Sequence, residues 1–181
     1  MSDRFFVLTG GPGSGKTSVL QALAVRGFDT MPEAGRAVIR DQAAIGGFAL
    51  PWADRALFAE QMLAWDMRSH AEAAGRDRPV FFDRGIPDLI GYLTLCGLPV
   101  PAHLERAAAR FRYHAKVFAF PHWPAIFTRD AERRQSPQEA EATFRAVTDA
   151  YRACGYELVE VPKLTIDERA DFILSETGPA A

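Results

Sequence analysis

Eight residues near the start of the chain have the types and the spacing to hold a polyphosphate. Gly10-Gly11-Pro12-Gly13-Ser14-Gly15-Lys16-Thr17 follows the G-x-x-x-x-G-K-T pattern of a phosphate-binding P-loop, with Ser18 directly after it. In such a loop the glycines let backbone N–H groups close round phosphate oxygens. The helix that follows turns its positive N-terminal end to the same anion. The pattern assigns Lys16 to the β- and γ-phosphate oxygens and the Thr17 hydroxyl to Mg²⁺. The flanks agree: the apolar run Phe5-Phe6-Val7-Leu8 reads as a buried strand, and Val19, Leu20, Leu23 and Ala24 have helical spacing up to Gly27. A glycine-rich turn that only joins a strand to a helix is the plain alternative, and it needs neither the lysine nor the threonine. The motif therefore predicts binding of ATP, or another nucleoside triphosphate, with magnesium.

A second set of charged residues falls where other apolar runs end. Asp83 closes Pro79-Val80-Phe81-Phe82 and heads Asp83-Arg84-Gly85. A carboxylate there can hold Mg²⁺ or act as base on a phosphate acceptor; otherwise it caps the next helix. Arg84 can grip a phosphate or the acceptor, or pair with Asp83 or Asp88. Glu33 and Arg36 follow the weak strand Phe28–Pro32, three residues apart and so on one helical face. Glu33 can take the proton of a substrate hydroxyl, with Asp83 as the other candidate base, and Arg36 can hold an anionic part of the substrate. The plain reading is an exposed ion pair worth little. Arg129, Arg133 and Arg134 lie in a polar stretch without apolar period, Arg129 and Arg133 at i, i+4. Such arginines can close over a transferring γ-phosphate, or form a solvated turn neutralised by Asp130 and Glu132.

The elements that must position these residues alternate along the chain. Strands are expected at residues 5–8, 28–32, 79–83, 116–120 and 156–161. Helices are expected after the P-loop, at 34–45, 51–74, from Pro87 to Gly97, at 102–111, from the capping box Ser136–Glu139 to Gly155, and after the capping box Thr165–Glu168. Phe58, Met62 and Trp65 form one apolar stripe, and Phe144, Val147 and Tyr151 another. Alternating strands and helices imply an α/β fold with a parallel sheet covered on both faces, and ligands at the carboxyl ends of its strands.

Composition sets the outer limits. The 181 residues are 48% apolar with a net charge of −2, which suits one globular domain and argues against nucleic acid as main partner. No apolar stretch is long enough to span a membrane, and the start of the chain leaves no room for a signal peptide. Cys96 and Cys154 read as reduced, buried thiols of a cytosolic protein, and His70, His103, His114 and His122, without metal spacing, as surface or loop residues. The chain contains no asparagine, so the Asn-Lys-x-Asp guanine signature of switch GTPases is excluded. No Asp-Glu pair follows a strong strand, as a water-activating motor would have.

Gly10–Thr17, Pro32-Glu33-Ala34-Gly35-Arg36, Phe82-Asp83-Arg84-Gly85-Ile86-Pro87-Asp88 and the arginine-rich stretch together resemble the AAA-domain, nicotinamide-riboside-kinase-like family of P-loop ATPases and kinases, related to nucleoside and nucleotide monophosphate kinases. The resemblance runs from about Phe5 to Leu174. It implies a three-layer α/β/α P-loop domain with a five-stranded parallel sheet in the order 2-3-1-4-5 and a short arginine-rich lid at about 122–140. It also implies a glutamate base after the second strand, where Glu33 stands. Asp83-Arg84-Gly85 departs from the Glu-Arg-Ser and Asp-Arg-Tyr of the related kinases. The expectation is a cytoplasmic small-molecule kinase using ATP and Mg²⁺, with Glu33, Arg36, Arg84 and Asp88 toward the acceptor. A stand-alone ATPase with a regulatory role is the alternative, and a nucleotide-binding module without turnover a third.

Overall fold

The computed structural model describes residues 3–124 and 137–178. Arg129, Arg133, Arg134 and Ser136 lie outside the described residues, as does most of the expected lid.

β1 (Phe5–Gly10) is buried along its whole length. It lies between β3 (Val80–Asp83) and β4 (Lys116–Phe120), with β2 (Asp29–Met31) and β5 (Glu157–Glu160) at the edges. All pairings are parallel, and the order is β2-β3-β1-β4-β5, as the resemblance implied. Side chains alternate across the sheet. Phe6, Leu8, Phe81 and Phe118 point to one side, where Val19, Leu20 and Leu23 of α1 (Lys16–Val25) and Ala170 and Ile173 of α7 (Ile166–Glu176) cover them. Phe5, Val7, Val80, Phe82 and Val117 point to the other, against Ala73 of α3 (Arg55–Ala73) and Tyr151 of α6 (Pro137–Ala153). Outside that layer a further apolar cluster joins α2 (Ala34–Ile45), α3, α4 (Ile86–Leu95) and α5 (Ala102–Arg110).

The register sets the depth of each candidate. Leu8 pairs with Asp83 and Met31 with Phe82, so Asp83 ends level with the approach to the P-loop, and Glu33 emerges beside it.

Several local expectations need correction. The third helix begins at Arg55, not Pro51, because Asp54 caps it by accepting from Leu57 N at 2.9 Å. On its inner stripe Phe58 and Met62 are buried, but Trp65 is only half-buried, and the charged Asp66 stands inside with 8% exposure. Cys96 and Cys154 are half-buried free thiols, because both sit at helix ends. His70 is not a surface or loop residue: its ring meets those of Phe5, Phe111 and Tyr113 at 5.0–5.4 Å, and its Nε2 lies 3.0 Å from the Arg112 carbonyl. The Thr165–Glu168 capping box forms as expected. Among the described residues no helix is long and apolar enough to cross a membrane.

Candidate active site

The P-loop joins β1 to α1. Gly15 is the N-cap of α1 with φ +85°, a left-handed conformation that glycine takes without steric cost. Lys16, 6% exposed, donates from Nζ to the carbonyls of Gly10 (3.2 Å) and Gly11 (2.9 Å), so its ammonium lies over the loop. Burial, followed by the nearby Arg84 charge, lowers its pKa to about 8, although Asp83, Glu33 and Asp88 oppose the shift. Ser14 Oγ donates to the Gly11 carbonyl at 2.9 Å and tightens the turn.

Thr17 Oγ1 stands 3.3 Å from Asp83 Oδ2. The other carboxylate oxygen, Asp83 Oδ1, is buried without a hydrogen-bond partner. Burial and then Glu33 push the Asp83 pKa up, with Lys16 and Arg84 opposing. One hydroxyl and one carboxylate with a spare lone pair are the protein donors Mg²⁺ takes when phosphates and waters complete its octahedron. The residues present therefore fit that ion. Among the described residues no group of three or more His, Cys, Asp or Glu could hold a metal without such help.

The acceptor-side candidates meet around Arg84. Its Nε donates to Glu33 Oε1 at 3.1 Å and its Nη1 to Asp88 Oδ1 at 3.0 Å. It is the one non-glycine residue with positive φ (73°) among those described, a conformation costing about 1–2 kcal/mol. The two carboxylates outweigh burial and hold the guanidinium charged. Glu33 Oε2 also pairs with Arg36 Nε at 3.3 Å. For Glu33, burial would raise the pKa, but Arg84, Lys16 and Arg36 together bring it below the usual value. Glu33 is thus an ionised carboxylate held between two arginines. Asp88 is 4% exposed and its oxygens take four protein donors: Thr9 Oγ1 (2.7 Å) and Arg84 Nη1 (3.0 Å) on Oδ1, and Gly85 N (3.1 Å) and Tyr151 Oη (2.7 Å) on Oδ2. Gly85 fits because Tyr113 lies against it; a Cβ there would come within 2.9 Å of the ring.

The profile of the AAA domain matches residues 5–169 of the chain. The chain belongs to this AAA-domain family. Solved structures of P-loop kinases share its fold at low identity. The chain is similar to deoxyadenosine kinase from M. mycoides with products dCMP and dCDP bound: TM-score 0.70, 11% identity, covering 95% of this chain and 97% of that one. It is similar to the NadR protein in complex with NR (TM-score 0.68, 16% identity), covering 97% of this chain and 51% of that one. Thymidylate kinase from Ehrlichia chaffeensis also matches, with TM-score 0.59, 14% identity and coverage of 97% and 98%. No curated protein sequence matches the chain. This AAA-domain chain thus has the three-layer P-loop architecture expected of it.

Sequence reasoning passed over four residues of this AAA-domain site. Thr9 lies in an apolar strand and was not singled out. Tyr151 read as core, yet its hydroxyl serves Asp88. Asp66 carried a legible signal, a carboxylate eight places after Phe58 on an apolar helix stripe; burial first, then Asp88 and Glu33, hold its pKa well above the ordinary range. Arg169 of α7 had no signal, since its contact is with Ser14, 155 positions away.

Proposed function

We propose that the protein is a Mg·ATP-dependent small-molecule kinase that transfers the γ-phosphate to a hydroxyl of a nucleoside, a nucleotide or a similar metabolite. The observation that carries this reading is the ionised Glu33, fixed by Arg84 and Arg36 and close enough to Lys16 to feel its charge. Hydrolysis of ATP by water needs no such arginine-held carboxylate on the acceptor side. The kinase fold of the neighbours supports the same reading.

Gly10 to Ser18 bind the triphosphate, and Lys16 offsets the charge that builds on the γ-phosphate oxygens. Thr17 and Asp83 would hold Mg²⁺, which when bound neutralises phosphate charge and orients the chain of phosphates. Glu33 accepts the acceptor's hydroxyl proton as the acceptor oxygen bonds to γ-phosphorus. The bond from γ-phosphorus to its bridging oxygen breaks in the same step, and ADP leaves. Of the two candidate bases, Glu33 is the better choice because Asp83, beside the Thr17 hydroxyl, would be taken up in holding Mg²⁺. Arg84 and Arg36 orient the acceptor, and Asp88 sets Arg84 rather than touching substrate. Arg129 and Arg133 keep the role of closing over the γ-phosphate. The partner is a small acceptor molecule in the cytoplasm, and no nucleic acid or membrane enters the scheme.

The test is to measure ADP and free phosphate separately from Mg·ATP across nucleosides, nucleotides, ribosylated vitamins and hydroxy acids. A kinase gives ADP that rises with one acceptor class without matching phosphate. Equal ADP and phosphate, indifferent to every acceptor, would overturn the reading in favour of a stand-alone ATPase.

A further inference from the structure

The C-terminal helix places a buried cation against the P-loop. Arg169 of α7 is 4% exposed. Its Nη1 donates to the Ser14 carbonyl at 3.0 Å, and its Nε is buried with no hydrogen-bond partner. A Cβ added at Gly15 would lie 2.8 Å from both Nη1 and Nη2, so the guanidinium lies directly against the loop at the residue with φ +85°. The rings of Phe120 and Trp123 flank it at 5.8 and 5.4 Å. Among the described residues no carboxylate pairs with it, whereas its neighbours on the same helix, Asp167 and Asp171, are both taken by Arg26.

Burying a guanidinium without a counter-ion is unfavourable, and two aromatic faces offset only part of that cost. A polyphosphate held by the loop would supply the charge that no described carboxylate supplies. Arg169 lies against the Ser14–Gly15 segment of the loop whose N–H groups the P-loop pattern assigns to phosphate. We infer that Arg169 is a positioning residue for the nucleotide: it holds the Ser14–Gly15 peptide, and its counter-ion is the bound polyphosphate. The inference rests on the triphosphate reading of the P-loop given above, and it adds a residue that no P-loop pattern contains. The apolar cluster that α1 and α7 share, with the Arg26 pairs at its edge, keeps the two helices in register. A helix free to slide would take the cation away from the loop.

The contribution of Arg169 can be separated from its packing. Arg169→Gln keeps a donor for the Ser14 carbonyl and removes the charge. Arg169→Lys keeps the charge and loses the planar fork. Affinity is read by calorimetry for Mg·ATP and for inorganic tripolyphosphate, and melting temperature is read without ligand. Arg169→Gln is expected to weaken both ligands at least tenfold while the ligand-free chain melts no lower than the wild type. Arg169→Lys is expected to stay within threefold for both. Loss of ATP binding with tripolyphosphate unchanged would mean a contact to the base, and would overturn the inference. So would affinities for both ligands in Arg169→Gln within threefold of wild type, or a fall in melting temperature with affinity intact. Should Arg169→Gln fail to fold, a tenfold loss in a folded Arg169→Lys overturns it alone. A wild type that binds neither ligand would instead sink the triphosphate reading itself.

Discussion

On the side of the site proposed to hold phosphate, residues 10–18 come from one unbroken stretch, and the donors it offers are chiefly backbone groups ordered by a turn and a helix start. On the proposed acceptor side, Glu33, Arg84 and Asp88 come from the ends of two strands and the start of a helix, and the contacts are made by side chains. The first side is local and depends on glycine conformation and one lysine. The second is a chain of charges that runs inward from the exposed Arg36 through the half-buried Glu33 and Arg84 to the buried Asp88, in which each member is set by the next. A local device tolerates change around it, whereas a chain of charges fails at its weakest link. Removing Arg84 leaves Asp88 buried without its charged partner.

The largest effect expected is from Lys16→Met. It removes the charge proposed to face the γ-phosphate and should reduce turnover about 1,000-fold. Because that ammonium is buried, the ligand-free chain should melt no lower, which a thermal scan beside the rate measurement checks. A rate within tenfold of wild type would break the division of labour drawn here.

Glu33→Gln acts on the other side. Turnover should fall about 100-fold, while affinity for Mg·ATP, read by calorimetry, changes little. If Asp83→Asn instead spares ATP and magnesium affinity and carries the whole rate loss, the two carboxylates have exchanged roles.

Proton uptake distinguishes the sides more finely. In the free protein Lys16 has a pKa lowered to about 8, while a bound polyphosphate stabilises its charged form. Below pH 8 both states carry the proton and affinity is flat. Above it binding must take up a proton, so affinity should fall, by up to about tenfold per pH unit. Calorimetry in buffers of different ionisation enthalpy reads the proton directly, and in Lys16→Met the slope should vanish.

The smallest effect concerns the acceptor side's support. Tyr151→Phe removes one of four donors to Asp88 and should lower stability by about 1.5–3 kcal/mol, the worth of a hydrogen bond to a charged group. It should raise the acceptor's KM and leave that of ATP unchanged. A shift in both would mean the two sides are not separable.

The same contrast governs what could be read from the sequence. The P-loop was legible whole because its meaning lies in consecutive residues. The sheet followed from apolar runs, its order from the resemblance, and the strand-end positions of Glu33 and Asp83 from where those runs stop. The grouping of Glu33, Arg84 and Asp88 was legible only as a set of alternatives, since which carboxylate meets which arginine depends on register and on the rotation of α4. Asp88 was expected to face the substrate, and nothing local says that Thr9 and Tyr151 converge on it. Arg169 and Asp66 illustrate the remainder: one acts across 155 positions, and the other is hidden on a stripe that hydrophobicity alone explains.

Asp88 also has a consequence for how the chain assembles. Its partners Thr9 and Tyr151 lie 79 positions before it and 63 after it. Contacts of such separation close late, because loop-closure entropy must be met before they form. Asp88→Asn should therefore speed unfolding and leave the folding rate nearly unchanged, a split that stopped-flow chevrons resolve. During synthesis the phosphate loop, both strand-end carboxylates and Arg84 all leave the ribosome before Tyr151 exists. The nascent chain holds these charged groups before it can hold them still, and the order of the candidate site waits for α6 and α7.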